Sequence, residues 1–381
     1  MATFSQVFPS LPLAQLTAAA VATTPARLDP ILRRGRALTL DDFAALISPA
    51  AEAQLETLAQ HSRTLTQSHF GKTIRMFAPL YLSNECVNTC KYCGFSRHNP
   101  IPRITISVEQ VQREGALLAG RGFRSLLLVA GEHPKFVSNG YVTECIQRSL
   151  THFPSVSLEI GPLETEDYVP MVAAGCEGLI VYQESYHQPT YAEMHTAGPK
   201  KDFSWRMDTV ERGYAAGFRR LGISPLYGLH DWRFEALAAA AHALHLRKHC
   251  WKAHVTISFP RLRPAAGGFE PRHPISDRQF ALLVCAFRLL LPQVGLVLST
   301  RESPKIRDGL MQIGITSMSA GASTEPGGYS AFDENWNQPE QKGEQFHIAD
   351  DRSPETVAAA IRARGYEPVW KDFDRSLVVA Q

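Results

Sequence analysis

Cysteine is the residue type whose spacing first suggests chemistry in this chain. Cys86, Cys90 and Cys93 crowd into the run Cys86-Val-Asn-Thr-Cys90-Lys-Tyr-Cys93-Gly-Phe95. Three thiolates on one short loop can ligate one compact metal centre. The count matters, because a closed structural zinc site takes four ligands and an iron-sulfur cluster normally takes four cysteines, so three leave one position for something else. Cys145, Cys176, Cys250 and Cys285 stand singly in or at the ends of expected helices, where free cysteine serves as a small buried hydrophobe. Spacing alone leaves a zinc or electron-transfer site open. An odd total of seven cysteines, three of them crowded, argues against a disulfide scaffold and for a reducing compartment, so the cytoplasm is the expected location.

Such a loop has to be held by rigid elements. Residues 1–72 read as a helical N-terminal cap, with Ala/Leu-rich segments at 38–45 and 50–68. From Thr73 onward short β-branched or apolar runs alternate with helical stretches. Strands are expected at 76–82, 125–130, 156–160, 178–183, 220–224, 254–259, 296–300 and 315–319. Helices are expected at 108–119, opened by a Ser107/Gln110 capping box, and at 142–151, 205–216, 233–248, 277–290 and 304–312. This alternation is the signature of an α/β fold, a TIM-type (β/α)8 barrel over 73–320, whose chemistry sits on the loops after the strands. A doubly wound open sheet is the competing arrangement. Two post-strand stretches, 260–276 and 321–350, are long enough to be functional, and a helix at 354–363 followed by 368–374 forms a closing element within a C-terminal extension, 321–381.

Other classes are excluded by composition and pattern. A net charge of +2 gives no field for gripping nucleic acid or an acidic membrane. The most apolar stretch, 281–291, is broken by Arg288 and is too short to span a bilayer. The mildly apolar 11–22 has no basic residue before it, so no secretory signal is expected.

With Tyr92 just before the third cysteine, Cys-x3-Cys-x2-Cys resembles the signature of radical S-adenosylmethionine enzymes. The resemblance implies a four-iron, four-sulfur (4Fe-4S) cluster on Cys86, Cys90 and Cys93, its remaining iron chelated by S-adenosyl-L-methionine. Ala130-Gly131-Glu132 resembles the Gly-Gly-Glu motif of that superfamily, with Ala in first place; the small residues let backbone approach the cofactor, and Glu132 accepts from the methionyl ammonium. Tyr92 is then expected against adenine. Glu159, at the end of the third strand, is expected at the ribose hydroxyls or in a barrel-mouth salt bridge.

A more specific likeness lies in 182–206, Tyr-Gln-Glu-Ser-Tyr-His-Gln-Pro-Thr-Tyr-Ala-Glu-Met-His and on through Gly198-Pro-Lys-Lys-Asp-Phe-Ser-Trp-Arg206. Together with Gly228-Leu-His-Asp-Trp-Arg233, Ser258-Phe-Pro-Arg-Leu-Arg-Pro264, Leu298-Ser-Thr-Arg-Glu-Ser-Pro304, Pro326-Gly-Gly-Tyr329 and Trp370-Lys-Asp-Phe-Asp374, it resembles the 2-iminoacetate synthase family, the tyrosine lyases of thiamine biosynthesis. The likeness runs from about residue 70 to the C-terminus. It implies that Arg301, at the end of the seventh strand, clamps the carboxylate of L-tyrosine, that Ser319 is a second contact to the amino acid, and that Arg206 meets the methionyl carboxylate. Tyr81, Tyr92 and Arg261 are candidates near the phenol. His187 and His195 fit no compact metal site and are expected to scaffold a loop; Trp205, Trp232 and Trp251 are expected in the core or at an interface.

The implied reaction starts with one electron passing from the cluster to S-adenosylmethionine. The resulting 5'-deoxyadenosyl radical takes hydrogen from the tyrosine amino group, and Cα–Cβ cleavage gives p-cresol and 2-iminoacetate (dehydroglycine). Thiazole synthase is the implied receiver, docking on the long post-strand loops, and flavodoxin or ferredoxin the implied electron donor. Rival lyases are the hydrogenase-maturation enzyme, which carries a second cluster on a C-terminal cysteine motif where this sequence has no cysteine after Cys285, and a tryptophan lyase. An iron-sulfur carrier or scaffold is the alternative from another class.

Overall fold

The structure, a computed structural model, describes residues 2–330 and 343–371. Eight parallel strands form its centre: β1 Thr73–Ser83, β2 Ser125–Ala130, β3 Ser155–Glu159, β4 Gly178–Glu184, β5 Arg220–Pro225, β6 His254–Ser258, β7 Gly295–Leu298 and β8 Ser317–Ser319. Each pairs with the next, and β8 pairs back onto β1 through Arg75↔Ser317, Met76↔Met318 and Phe77↔Ser319. β1 therefore has a neighbour on both sides, and the open-sheet alternative is ruled out. The sheet is a closed barrel with its helices outside.

Local sequence explains the elements. The Ser107/Gln110 capping box is present with both of its hydrogen bonds and opens helix Val108–Gly120. The expected helix over 205–216 is instead two, Phe203–Met207 and Thr209–Ala216. At the joint, the Asp208 carboxylate turns away to accept from Ser5 N (2.8 Å) and Ser5 Oγ (2.6 Å), tying the N-terminus to the barrel. A further helix, Thr165–Ala173, carries Pro170 inside it. Helix Trp232–His249 is buried on nearly every side along 236–241 because the barrel covers one face and helix Leu13–Val21 another. Helix Leu55–Phe70 packs on Asp277–Leu290 in the same way.

At the C-terminal end, helix Pro354–Ala363 leads to β9, Glu367–Val369, which pairs in parallel with Thr73–Arg75 at the start of β1. Residues 372–374 of the closing element and 331–342 of the long loop lie outside the described residues. Among the described residues no helix is long and apolar enough to cross a membrane.

Candidate active site

β1 ends at Ser83, and the cysteine loop that follows is held by its own backbone and side chains. Arg103 gathers four of its carbonyls, donating to Asn84 O (2.7 Å), Phe95 O (2.9 Å), Ser96 O (2.6 Å) and Asn99 O (3.3 Å). Ser96 Oγ accepts from Cys90 N (3.1 Å), and Asn99 Nδ2 donates to Cys93 O (3.0 Å). Thr89–Cys90 pairs antiparallel with His195–Ala197, setting Cys90 opposite His195. The loop after β2 lies directly against it: Val87 N donates to Glu132 O (2.8 Å), and a Cβ on Gly131 would stand 2.2 Å from Glu85 O. Only glycine allows that approach.

All three cysteines are free thiols, Cys90 buried and Cys86 and Cys93 half-buried. Burial pushes the Cys90 and Cys93 thiols up, nearby Lys200 pulling against it, and the other thiols of the loop add to the rise. Among the described residues no three His, Cys, Asp or Glu converge tightly enough for a single metal ion. A cluster spreads its thiolates over separate irons, and a preformed loop of three free thiols, one buried and two half-buried, fits that donor set.

From this loop a chain of polar contacts crosses the mouth. Asn88 Nδ2 lies 3.6 Å from Cys86 Sγ and donates to Glu132 Oε2 (2.7 Å), while Asn88 Oδ1 accepts from Lys200 N (2.9 Å). Lys200 Nζ is 2.6 Å from Glu184 Oε1, and Arg206 Nη2 is 3.6 Å from the same oxygen. Arg206 is buried, its Nε donating to Tyr182 O (2.7 Å), so it is no surface ion pair. Burial pushes the Glu184 carboxyl up, but Lys200 and Arg206 outweigh it and hold it below the usual range. Glu184 is also the one non-glycine among the described residues in the left-handed region, at φ 70°. A strained residue at the end of a barrel strand is held by its surroundings, here by two cations.

Tyr92 is buried and its hydroxyl is 2.7 Å from His195 Nε2; His195 Nδ1 is 2.8 Å from Tyr191 O. A carbonyl only accepts, so Nδ1 carries the hydrogen and Nε2 accepts from the Tyr92 hydroxyl. Burial, with Lys200 beside it, brings the imidazole down to about 3, so it stays neutral. His195 scaffolds a loop, as expected. His187 does likewise, stacked on His230 at 3.8 Å and bonded to Thr190 Oγ1 at 2.9 Å.

The other side of the mouth is a cavity lined by Tyr81, Glu159, Tyr182, Arg301, Ser319 and Phe346 among others. Arg301 lies over the Phe346 ring, Cζ 3.3 Å from its centroid. Ser319 Oγ accepts from Thr300 N (3.2 Å), and the Ser319 carbonyl accepts from buried Arg307. The Glu159 carboxyl is pushed up by burial to about 7, with Arg301 opposing. Tyr81 donates from its hydroxyl to Gln345 Oε1 (2.8 Å). Gln345 and Phe346 thus bring the C-terminal segment over the cavity, a role the sequence did not reveal. Of the phenol candidates, Arg261 is held by Glu302 and Asp277 and does not line this cavity. Trp232 is buried and Trp205 half-buried beneath Arg212, whereas Trp251 is 71% exposed and so is not a core residue.

Known proteins bear on this arrangement. Residues 258–367 match the Biotin and Thiamin Synthesis associated domain family. The 2-iminoacetate synthase of Escherichia coli (strain K12) is 46% identical over 341 residues, 89% of this chain and 89% of that protein. The crystal structure of HydG, a maturase of the FeFe-hydrogenase, superposes with a TM-score of 0.88 at 32% identity, covering 94% of this chain and 79% of that one. Methylornithine synthase (PylB), at 18% identity and a TM-score of 0.70 over 90% of this chain and 97% of its own, shares the fold. On identity of this extent over nearly the whole chain, the protein belongs to the 2-iminoacetate synthase family.

Proposed function

We propose that this protein cleaves the Cα–Cβ bond of L-tyrosine to 2-iminoacetate and p-cresol, a radical lyase reaction that supplies the thiazole moiety of thiamine. The observation that carries the reading is that one barrel mouth presents the three-cysteine loop with Glu132 on one side and Arg301 with Ser319 on the other, in a chain of this family. Cys86, Cys90 and Cys93 would hold a 4Fe-4S cluster, and Glu132, Tyr92 and Arg206 the S-adenosyl-L-methionine upon it. When bound, that pair supplies one-electron chemistry and a carbon-centred radical, which the protein itself cannot provide.

The chain's own residues bind, orient and enclose. Arg301 offers a planar fork to the substrate carboxylate, with Phe346 keeping that fork flat against a ring. Ser319, fixed through its backbone and hydroxyl, offers a second polar contact. Glu159 shares this cavity, at the join between cofactor and substrate, where its carboxyl can accept from a ribose hydroxyl or from the substrate ammonium. Lys200 and Glu184 position Asn88 and Arg206, and through Asn88 they orient Glu132. Gln345 and Phe346 cover the cavity and exclude water, which a reactive radical requires.

Thiazole synthase as receiver of the imine and flavodoxin or ferredoxin as electron source complete the reading. The test is anaerobic reconstitution followed by paramagnetic resonance of the reduced protein. S-adenosylmethionine should perturb the cluster signal, and tyrosine should then be consumed. A signal indifferent to S-adenosylmethionine would instead describe an electron carrier.

A further inference from the structure

Three consecutive residues at the end of β4 hold the segment that carries Lys200 and Arg206. Tyr182 O accepts from Arg206 Nε (2.7 Å), Gln183 Nε2 donates to Phe203 O (3.2 Å), and the Glu184 carboxylate takes Lys200 Nζ at 2.6 Å with Arg206 Nη2 at 3.6 Å. The backbone beneath them is irregular. Its register against β5 shifts between Tyr182 and Glu184, and Ser185 N donates to Gln183 O (2.9 Å), closing a three-residue turn with Glu184 at its centre at φ 70°. A register shift at a strand end re-aims side chains, and a turn this tight over a non-glycine residue at positive φ is unfavourable on its own. The two cations hold the Glu184 carboxylate; its backbone has to be held from outside the strand.

Glu235 is placed to do this. It stands in the first turn of helix Trp232–His249, whose N-cap Asp231 accepts from Arg233 N (2.8 Å) and Phe234 N (3.2 Å), and at that end of a helix a carboxylate is the favoured charge. An acid there ordinarily faces water, yet Glu235 is 0% exposed and turned onto the strand end. Its Oε1 accepts from Ser185 Oγ (2.5 Å) and its Oε2 from Tyr186 N (2.7 Å), while Ser185 Oγ itself accepts from His187 N (3.2 Å). These partners are a hydroxyl and an amide rather than a cation, and burying an acid on such terms is costly. Seven residues further along the same face of the helix, His242 Nδ1 lies 2.8 Å from the Tyr186 hydroxyl, and the Phe4 ring stacks on that imidazole at 4.2 Å. The two residues after the strained turn are thus gripped by one helix.

We propose that Glu235 is a positioning residue for the cofactor: by fixing Ser185 and Tyr186 it keeps Glu184 in its turn, and through Glu184 it sets Lys200 and Arg206. The inference rests on the reading that puts Arg206, and Glu132 oriented through Asn88, at S-adenosyl-L-methionine. Arg301 and Ser319, on the tyrosine side of the mouth, stand at the ends of β7 and β8 and take no part in these contacts. Loss of the grip therefore falls on the cofactor and spares the substrate.

The test compares Glu235→Leu, which keeps the volume but accepts no hydrogen bond, with Glu235→Gln, which keeps a carbonyl acceptor and lets the Ser185 hydroxyl turn to accept from the amide. After anaerobic reconstitution three quantities are measured: bound iron, S-adenosylmethionine affinity from its effect on the paramagnetic resonance of the reduced cluster, and tyrosine KM at saturating cofactor. Glu235→Leu should hold iron as the unaltered protein does and bind S-adenosylmethionine about tenfold more weakly, the scale of one hydrogen bond to a charged group, with tyrosine KM unchanged. Glu235→Gln should recover most of that affinity. Hydrogen exchange should quicken at 183–187 and 198–206 in Glu235→Leu alone. Normal cofactor affinity in Glu235→Leu, or parallel losses of iron, cofactor affinity and tyrosine KM such as a merely structural role gives, would overturn the proposal. If Glu235→Leu does not fold, Ser185→Ala removes the hydroxyl link alone and should weaken cofactor binding in the same direction; unchanged affinity there overturns the proposal equally. A cluster indifferent to S-adenosylmethionine in the unaltered protein would count against the cofactor reading instead, and exchange, which needs no cofactor, would still show whether Glu235 holds the turn.

Discussion

Burial disfavours charge on the Cys90 and Cys93 thiols, so these sulfurs become thiolates when a metal takes the place of the proton. Three ligands leave no spare. Cys90→Ala should therefore lose the cluster absorbance and bound iron after reconstitution, while alanine at buried Cys145, Cys176, Cys250 or Cys285 leaves iron content unchanged. Arg301→Lys keeps the charge but loses the fork, and tyrosine use should fall by about 1.5–3 kcal/mol, roughly 10- to 100-fold in kcat/KM, with S-adenosylmethionine binding retained. Lost cofactor affinity with normal tyrosine kinetics would exchange the roles given to Arg301 and Glu132. Glu159 supplies a pH test. Its carboxyl is raised to about 7 in the fold, so the neutral form stabilises the protein below its unfolded pKa of about 4.5, and that contribution is lost as pH rises through about 7. Glu159→Gln should raise the Tm relative to the unaltered protein more at about pH 8 than at about pH 5. An equal offset at both pH values would mean that Glu159 ionises normally.

At the scale of elements, the site depends on how closely the first two post-strand loops pack. Gly131→Ala would drive a Cβ into Glu85 O and should lower bound iron, although no ligand is changed. Gly120→Ala, where nothing stands within 4 Å of the new Cβ, is the control and should retain full iron content. These loops also mark the limit of what the sequence discloses. The eight strands were legible because β-branched and apolar runs separated by capped helices report the barrel locally, as Ser107 and Gln110 do for their helix. Cys86, Cys90 and Cys93 stood out by their spacing, whereas Glu132 and Arg301 were suggested by the family resemblance; the fold sets Glu132 against the cysteine loop and Arg301 in the mouth cavity. Asn88, Glu184 and Lys200 were not, since their network joins residues 112 apart in the chain at Asn88 and Lys200, and no local pattern announces such a contact. The strain at Glu184 is likewise a property of its surroundings, and Gln345 and Phe346 reach the site only through tertiary folding. Arg261 misled because its motif lies next to the cavity while its guanidinium is taken by Glu302.

For the whole molecule, the closed barrel is a container whose two ends differ. The mouth gathers thiols, carboxylates and Arg301 beneath Gln345 and Phe346, and the opposite end is hollow, with Arg75 and Arg220 beside Glu177. Helices of the N-terminal region brace the outside, with Ser5 tied to Asp208. The covered mouth suits a reaction that must exclude water. The central claim is that the mouth splits tyrosine and goes no further. It is tested most directly by quantifying products after anaerobic incubation of the reconstituted protein with tyrosine, reductant and S-adenosylmethionine. The account predicts p-cresol and glyoxylate in equal amounts with matching 5'-deoxyadenosine; cyanide or carbon monoxide among the products, or 5'-deoxyadenosine without p-cresol, would contradict it.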